Sequence, residues 1–314
     1  MLAYLFLFLQ AVILTLSPAG RERSWDADLR FSHWPALLVW GTAVWLTQKH
    51  LRRKLPDSDP FIFPTAVLLS GWGLLTIYRL TPTFGLRQAL WMLAALGMVI
   101  VILRIPAPLD LLRRYKYVLL SSGLILTALT LVFGANPGGY GPRLWLGCCG
   151  IFLQPSEPLK LLLVAYLAAY FADRLPISLR VLPIIIPTLA IVGLALLILL
   201  IQRDLGTTSI FIFLYAIMLF LATNQRRILV LTLGGLAAAG VVGYFFVDII
   251  QLRITAWLDP WRDPSGGAFQ IVQSILAVAN GGFFGRGLGM GSPGLVPVAH
   301  SDFIFASLIE EGGL

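Results

Sequence analysis

The feature that most constrains this chain is a succession of nine apolar runs separated by short polar loops. A transmembrane helix requires about 20 mainly apolar residues, and the runs approach or reach that length. They cover residues 2–16, 34–46, 61–78, 89–103, 117–133, 159–171, 182–201, 209–222 and 228–247. A further run begins at Phe303 and is cut off by the end of the sequence. The pattern predicts an all-α, polytopic integral membrane protein with about nine complete transmembrane helices and one truncated helix.

Composition supports a membrane protein and argues against a soluble nucleic-acid-binding domain. Of the 314 residues, 58% are hydrophobic and only 12% are charged, whereas a soluble domain has about a quarter of its residues charged. The net charge of +8 would suggest nucleic acid in a soluble protein, but here the basic residues lie in short loops between apolar runs. Membrane topology therefore explains the charge, and no nucleic-acid partner is expected.

The basic loops predict an orientation. They alternate correctly across the runs, so they fall on one side, which the positive-inside rule identifies as the cytoplasm. These loops cover residues 49–54, 113–116, 173–180 and 225–227. The N-terminus is then cytoplasmic. The loops predicted on the outer side cover residues 136–157, 202–206 and 248–302.

The only cysteines, Cys148 and Cys149, are adjacent. Adjacent cysteines rarely pair with each other, and no spaced set of metal ligands accompanies them. We therefore expect neither a disulfide nor a zinc site.

Six motifs give the chain a resemblance to a known family. GPRLWLG, QPSEPLK and QRDLGTT occur in the middle of the chain, and DPWRDPSGGAFQIVQS, NGGFFGRGLGMGS and HSDFIFASLIEEGGL occur near its end. In this order and spacing they resemble the SEDS family, the RodA/FtsW/SpoVE-type membrane glycosyltransferases of bacterial cell-wall synthesis. The resemblance covers residues 61–314, including the large outer loop 248–302. Residues 1–60 look like two additional N-terminal transmembrane helices.

Glu157 and Lys160 lie in QPSEPLK at the start of an apolar run. Their i,i+3 spacing places them on one helical face, and ionised groups at membrane depth normally face a protein interior or an aqueous cavity. They could form a structural ion pair, or Lys160 could meet a substrate phosphate. The resemblance favours a cavity wall, because the family has this Glu and Lys in its central cavity.

Arg143 and Trp145 lie in the preceding outer loop. Such a pair is often an interfacial anchor, but Arg143 could also bind a diphosphate through its bidentate fork.

In the segment 285–291, glycines alternate with other residues around Arg286. Backbone N–H groups of such a loop could cradle phosphates, although the pattern is neither a P-loop nor a Rossmann fingerprint.

His300, Ser301 and Asp302 directly precede the last apolar run. From sequence alone Asp302 could be a helix N-cap. A Ser/His/Asp triad is rejected, because sequence neighbours rarely converge in that geometry. The resemblance places Asp302 at the family's essential catalytic aspartate, and His300 beside it in the substrate site. Val298 departs from the family, which commonly has Glu there.

Glu310 and Glu311 match an acidic pair of the family and could line a cavity or form an ion pair with a partner missing from this chain. The family continues beyond this point through further helices. We therefore expect the chain to be C-terminally truncated, and if the polypeptide ends here we expect little or no activity.

The resemblance implies a peptidoglycan glycosyltransferase that polymerises lipid II at the outer face of the bacterial cytoplasmic membrane. It implies Asp302 as the catalytic base, a substrate site with Arg143, Trp145, Glu157, Lys160, Arg286 and His300, and a class B penicillin-binding protein as partner, alongside membrane lipids. No cofactor is expected, although a divalent cation could assist. A transporter that flips the lipid-linked precursor and a non-catalytic scaffold remain alternatives.

Overall fold

The structure, a computed structural model, describes residues 2–137, 139, 141–174 and 182–314, with the backbone alone for residues 182–184. In that part of the chain the α-helices are α1 (Leu2–Glu22), α2 (Trp34–Lys54), α3 (Ile62–Leu80), α4 (Pro82–Ile102), α5 (Pro108–Arg114), α6 (Lys116–Phe133), α7 (Ser156–Arg174), α8 (Leu182–Ile201), α9 (Leu205–Thr223), α10 (Arg226–Phe246), α11 (Asp248–Leu258), α12 (Phe269–Gly281) and α13 (Ile304–Gly312). Two three-residue strands, β1 (Leu146–Cys148) and β2 (Ile151–Leu153), form an antiparallel hairpin. The predicted all-α class is confirmed.

Each of the nine apolar runs corresponds to a helix of 18 to 21 residues within the described ranges: α1–α4 and α6–α10. Six of them, α1, α3, α4, α6, α9 and α10, are long and apolar enough to cross a membrane. Helices α2 and α7 extend beyond their apolar runs into charged residues, among them Arg53 and Glu157. The chain is a multi-pass membrane protein.

The chain folds into two compact units. The first comprises Met1–Pro106 and Asp248–Leu314, and the second comprises Ala107–Val247. The first unit therefore combines the two predicted extra helices with α3, α4 and the C-terminal segment.

Helices α1 and α2 pack against α3 and α4 in the first unit. The close approach depends on Gly71 of α3. A Cβ atom there would lie 2.4 Å from Leu7 Cδ1 and 2.5 Å from Trp40 Cη2. Both of these side chains are buried, so a larger residue at position 71 would push α1 and α2 away from α3.

The segment 248–302, predicted as a large outer loop, contains two α-helices, α11 and α12. Helix α11 was not anticipated. Helix α12 begins at Phe269 and runs as far as Gly281. The helix ends there because Gly282 adopts a positive φ of 54°. Between the two helices Asp263 fixes a turn by accepting a hydrogen bond from the Gly267 N–H at 2.7 Å.

In the second unit α6 packs on α7, and α9 packs on α7, α8 and α10. The buried Gln202 side chain donates from Nε2 to the Thr127 carbonyl at 2.9 Å and to Thr130 Oγ1 at 2.7 Å. Asp204 caps α9, since its Oδ1 accepts from the Thr207 N–H at 3.0 Å. The motif QRDLGTT therefore contains a helix cap.

Candidate functional site

Four of the predicted site residues belong to the second unit. Two of them, Glu157 and Lys160, form the predicted i,i+3 ion pair in the first turns of α7, with Lys160 Nζ 2.8 Å from Glu157 Oε2. The Glu157 side chain is 57% exposed and that of Lys160 is 22% exposed. The pair is therefore open to a ligand on the carboxylate side.

Arg143 and Trp145 lie on the loop that leads from α6 to the hairpin. The backbone of Trp145 pairs with Ala135, with N···O distances of 2.7 and 3.3 Å, which holds the loop against the end of α6. Arg143 is exposed, and its side chain has no hydrogen-bond or ion-pair partner among the described residues. Its guanidinium is thus available to an anionic ligand. Cys148 and Cys149 of the same hairpin are free and exposed.

The other three predicted residues, Arg286, His300 and Asp302, belong to the first unit, and Arg286 contacts the acidic pair of α13. Packing of α13 on α12 buries Glu310 and Glu311, which are 2% and 8% exposed. Buried carboxylates are costly unless they are paired or hydrogen-bonded. The glycine-rich segment 285–291 supplies hydrogen-bond donors to this part of α13.

Three backbone amides of that segment donate to α13. The N–H of Arg286 donates to the Glu310 carbonyl at 2.9 Å, and the N–H of Gly287 donates to the Glu311 carbonyl at 3.0 Å. The Gly289 N–H donates to Glu311 Oε2 at 2.9 Å. These N–H donors are already used within the fold. The segment 285–291 therefore binds the carboxylate and carbonyls of α13, where a phosphate cradle was considered.

Arg79 completes this cluster, and sequence analysis did not identify it. Its Nη2 lies 3.1 Å from Glu311 Oε1 and donates to the carbonyls of Gly289 at 2.9 Å and Gly291 at 3.2 Å. The suggestion that the acidic pair lacks its partner in this chain is thus wrong for Glu311. A signal was present: Arg79 is a charged residue in the last turn of an apolar helix, and such residues are normally paired.

Arg286 contacts the other carboxylate of the pair. Its Nη1 lies 3.7 Å from Glu310 Oε1, and its side chain is 48% exposed. Ser292 donates its N–H to the same Oε1 at 3.1 Å. Because Arg286 is half-exposed, part of its guanidinium remains open to a ligand.

Asp302 is exposed, and its carboxylate has no hydrogen-bond or ion-pair partner in the described part of the chain. The N-cap position of α13 belongs to Phe303, which makes no side-chain capping bond. The alternative that Asp302 serves as the helix cap is therefore wrong. His300 stacks edge-on against Phe84, with ring centroids 4.9 Å apart.

The residues that the structure describes contain no preformed metal-binding site. No group of three or more His, Cys, Asp or Glu side chains is placed there to hold an ion. Among the described residues, the side chains available for chemistry are the carboxylate of Asp302 and the basic groups of Arg143, Lys160 and Arg286.

Residues 64–314 match the model of a family described as cell cycle protein, the FtsW, RodA and SpoVE family. Relatives include the peptidoglycan glycosyltransferase RodA of Mycobacterium bovis, 32% identical over 294 residues that cover 84% of this chain and 61% of the relative. The stage V sporulation protein E of Bacillus subtilis is 36% identical over 204 residues, covering 64% of this chain and 56% of the relative.

A solved structure described as "Structural coordination of polymerization and crosslinking by a peptidoglycan synthase complex" is also similar. The TM-score is 0.55 at 27% identity, with 90% of this chain and 71% of that chain covered. The chain spans 61% of the length of the mycobacterial RodA relative. The family match, which takes in most of the sequence, shows that this chain belongs to the FtsW, RodA and SpoVE family.

Proposed function

We propose that this chain carries the glycosyltransferase site of a peptidoglycan polymerase that joins lipid II units into glycan strands. The observation that carries the proposal is the unpaired, exposed carboxylate of Asp302 at the entrance to α13. Relatives of this chain are named peptidoglycan glycosyltransferases, and a carboxylate free of internal partners is available to take a proton.

The reaction makes three chemical demands. A base takes the proton of a sugar 4-hydroxyl as its oxygen attacks the anomeric carbon of the second sugar with inversion. Positive charge stabilises the polyprenyl diphosphate that leaves, and a lipid-accessible surface admits its tail. We assign the base to Asp302.

The basic residues supply the charge. Arg143 and Arg286 each have exposed guanidinium donors, and forked donors suit phosphate oxygens. Lys160 adds a point charge whose position is fixed by Glu157. Trp145 and His300 complete the substrate contacts that we propose, and a divalent cation could assist without being required by any ligand cluster.

The buried cluster around Arg79 supports catalysis by fixing the segment that bears Asp302. That segment runs from Gly291, which is bonded to Arg79, to α13, which carries Glu311. Both of its ends are therefore tied to one guanidinium. A reacting group held in place in advance loses less freedom at the moment of reaction.

We place the reaction at the outer face of the bacterial cytoplasmic membrane, with the N-terminus in the cytoplasm, because the basic loops favour that orientation. A class B penicillin-binding protein is the proposed partner. Support comes from the similar solved structure, whose description couples polymerisation with crosslinking.

The second candidate is a transporter of the lipid-linked precursor. The observation that favours it is the Glu157–Lys160 pair within the helical bounds of α7, since charged residues in membrane helices often mark substrate pathways. A transporter moves lipid II across a bilayer and leaves it unpolymerised, so the products distinguish the two.

Polymerisation of lipid II is the test. Protein from the complete reading frame is purified in detergent and incubated with lipid II, with and without a class B penicillin-binding protein, and glycan strands are separated by gel electrophoresis. We expect strands. Folded, partnered protein that yields none while moving lipid II between leaflets of vesicles would favour the transporter, and protein that does neither would favour a scaffold.

A further inference from the structure

Near the ends of α1 and α3 the first unit contains a partly open cavity of about 280 Å³. It is bounded by the loop between α1 and α2, which contributes Arg30, Ser32 and His33, and by Tyr78 and Arg79 of α3. Two arginines thus line one small space. None of the lining residues belongs to the six sequence motifs, although Arg79 also holds the segment that bears Asp302.

Arg79 brings unused donors to the cavity wall. Its side chain is only 9% exposed, and its internal bonds all involve Nη2. The buried Nε has no hydrogen-bond partner, and Nη1 has none among the described residues. Because Nε is fully buried, Nη1 is the donor of Arg79 that remains for a ligand in the cavity.

Arg30 faces the same space without a partner. Its guanidinium makes no hydrogen bond or ion pair with the residues that the structure describes. Although Arg30 is exposed as a whole, partial burial, followed by the positive charges of Arg79 and Arg21, lowers its pKa from the usual value, while Glu311 opposes the shift. The like charges repel, and a bound anion would relieve that repulsion.

His33 forms a neutral part of the wall. It is 3% exposed, and its Nε2 lies 3.0 Å from the Ala11 carbonyl and 3.4 Å from Thr15 Oγ1. Burial lowers its pKa, and the contact with Ala11 only partly offsets this. The positive charge of the cavity therefore comes from Arg30 and from Arg79, and Glu311 offsets part of the charge of Arg79.

We propose that Arg30 and Arg79 form a binding site for a phosphoryl anion, held between the N-terminal helices and α3. Guanidinium forks match phosphate oxygens in bidentate geometry, and two of them suit a multiply charged phosphoryl group better than a singly charged carboxylate. Pockets for drug-sized ligands have volumes of about 300–1,000 Å³. A cavity of about 280 Å³ suits a smaller group, such as a phosphate or diphosphate.

The phosphoryl group has two possible sources, a phospholipid headgroup and a free phosphate or pyrophosphate. The cavity lies where α1 and α3 end, and the ends of membrane helices lie near the lipid headgroups. The site gives the two N-terminal helices a chemical role in addition to anchoring. It depends on the side chains of the first unit alone and stands whether or not the protein polymerises lipid II.

Binding is measured on the purified chain with three arms. Isothermal titration in neutral detergent uses sodium pyrophosphate, with sodium acetate as the carboxylate comparison. Native mass spectrometry from nanodiscs of phosphatidylglycerol and phosphatidylcholine, mixed in equal amounts, reports retained lipid.

The variant is Arg30→Gln, because Arg30 is exposed and its loss does not disturb the buried Arg79 cluster. Arg23→Gln is the matched control, since Arg23 lies in the same loop, is exposed and does not line the cavity.

We expect one-to-one binding of pyrophosphate, or selective retention of one phosphatidylglycerol, by the wild type and by Arg23→Gln. Arg30→Gln is expected to weaken it by about 10- to 100-fold, the effect of losing charge-assisted hydrogen bonds. Pyrophosphate binding identifies a soluble source, and retained phosphatidylglycerol alone identifies a lipid source. The proposal is overturned if the wild type binds neither, if acetate binds as tightly, or if the two variants lose affinity equally.

Discussion

Arg79 Nη2 lies 3.1 Å from Glu311 Oε1, and the two side chains are only 9% and 10% exposed. Glu311 Oε1 makes no hydrogen bond, so this contact is Coulombic, while Oε2 accepts from the Gly289 N–H. The pair joins α3 to α13, and the two carbonyl bonds of Arg79 bring the glycine-rich segment to the same point. One guanidinium therefore organises three parts of the first unit.

Replacement of Arg79 by methionine tests this role. The change keeps much of the side chain's bulk but leaves Glu311 buried without its counter-charge. Removal of one partner of a buried ion pair costs about 3–5 kcal/mol, and we expect a loss of that order in the free energy of unfolding, measured by denaturant titration in detergent micelles.

Arg104→Met is the control for the Arg79 variant, because Arg104 is exposed and has no partner in the described part of the chain. We expect it to change the unfolding free energy by less than about 0.5 kcal/mol. The double variant Arg79→Met/Glu311→Gln should regain part of the loss, since it no longer buries an unpaired charge. An Arg79→Met protein as stable as Arg104→Met would refute the account of the pair.

The contact between Gly289 and α1 predicts a second effect. Gly289 has a φ of +80°, and a Cβ atom there would lie 2.4 Å from Ser17 Cβ. Gly289→Ala is expected to lower the unfolding free energy by about 2–4 kcal/mol, the sum of left-handed backbone strain and overpacking. Gly294→Ala, just beyond the glycine-rich segment and with open space around its Cβ position, should change the unfolding free energy little. Equal effects of the two substitutions would contradict this explanation.

Substitution of Lys160 tests whether the Glu157–Lys160 ion pair is structural or functional. An exposed i,i+3 pair contributes only about 0.2–0.5 kcal/mol, so Lys160→Met should barely change the unfolding free energy. If Lys160 helps to hold the diphosphate, the same variant should reduce lipid II polymerisation by tenfold or more. Lys54→Met, an exposed lysine of α2, is the control. Unchanged polymerisation by Lys160→Met would leave Glu157 and Lys160 a structural pair.

Local patterns in the sequence predicted a large part of the fold. The apolar runs located all nine long helices, because the bilayer imposes helix length and hydropathy directly. The Glu157–Lys160 pair and the Asp204 cap were also predictable, since both depend on spacings of three residues within one helix start.

Contacts between distant segments were not predictable in this way. Arg79 and Glu311 lie near opposite ends of the chain, and no local spacing links them. The amides of the glycine-rich segment looked available for phosphate because their acceptors, on α13, come later in the sequence. The helical start at Ile304 likewise left Asp302 one position too early to serve as the N-cap.

The most direct test of the central claim is the rate of lipid II polymerisation by Asp302→Asn in protein from the complete reading frame. Asp302 is exposed and without a partner, so the variant should unfold like the wild type. Asp28→Asn, which changes another exposed carboxylate of the first unit, is the matched control. Loss of a general base predicts a rate reduced by about 10²- to 10⁴-fold for Asp302→Asn and a normal rate for Asp28→Asn. Normal polymerisation by folded Asp302→Asn would contradict the assignment of Asp302 as the base.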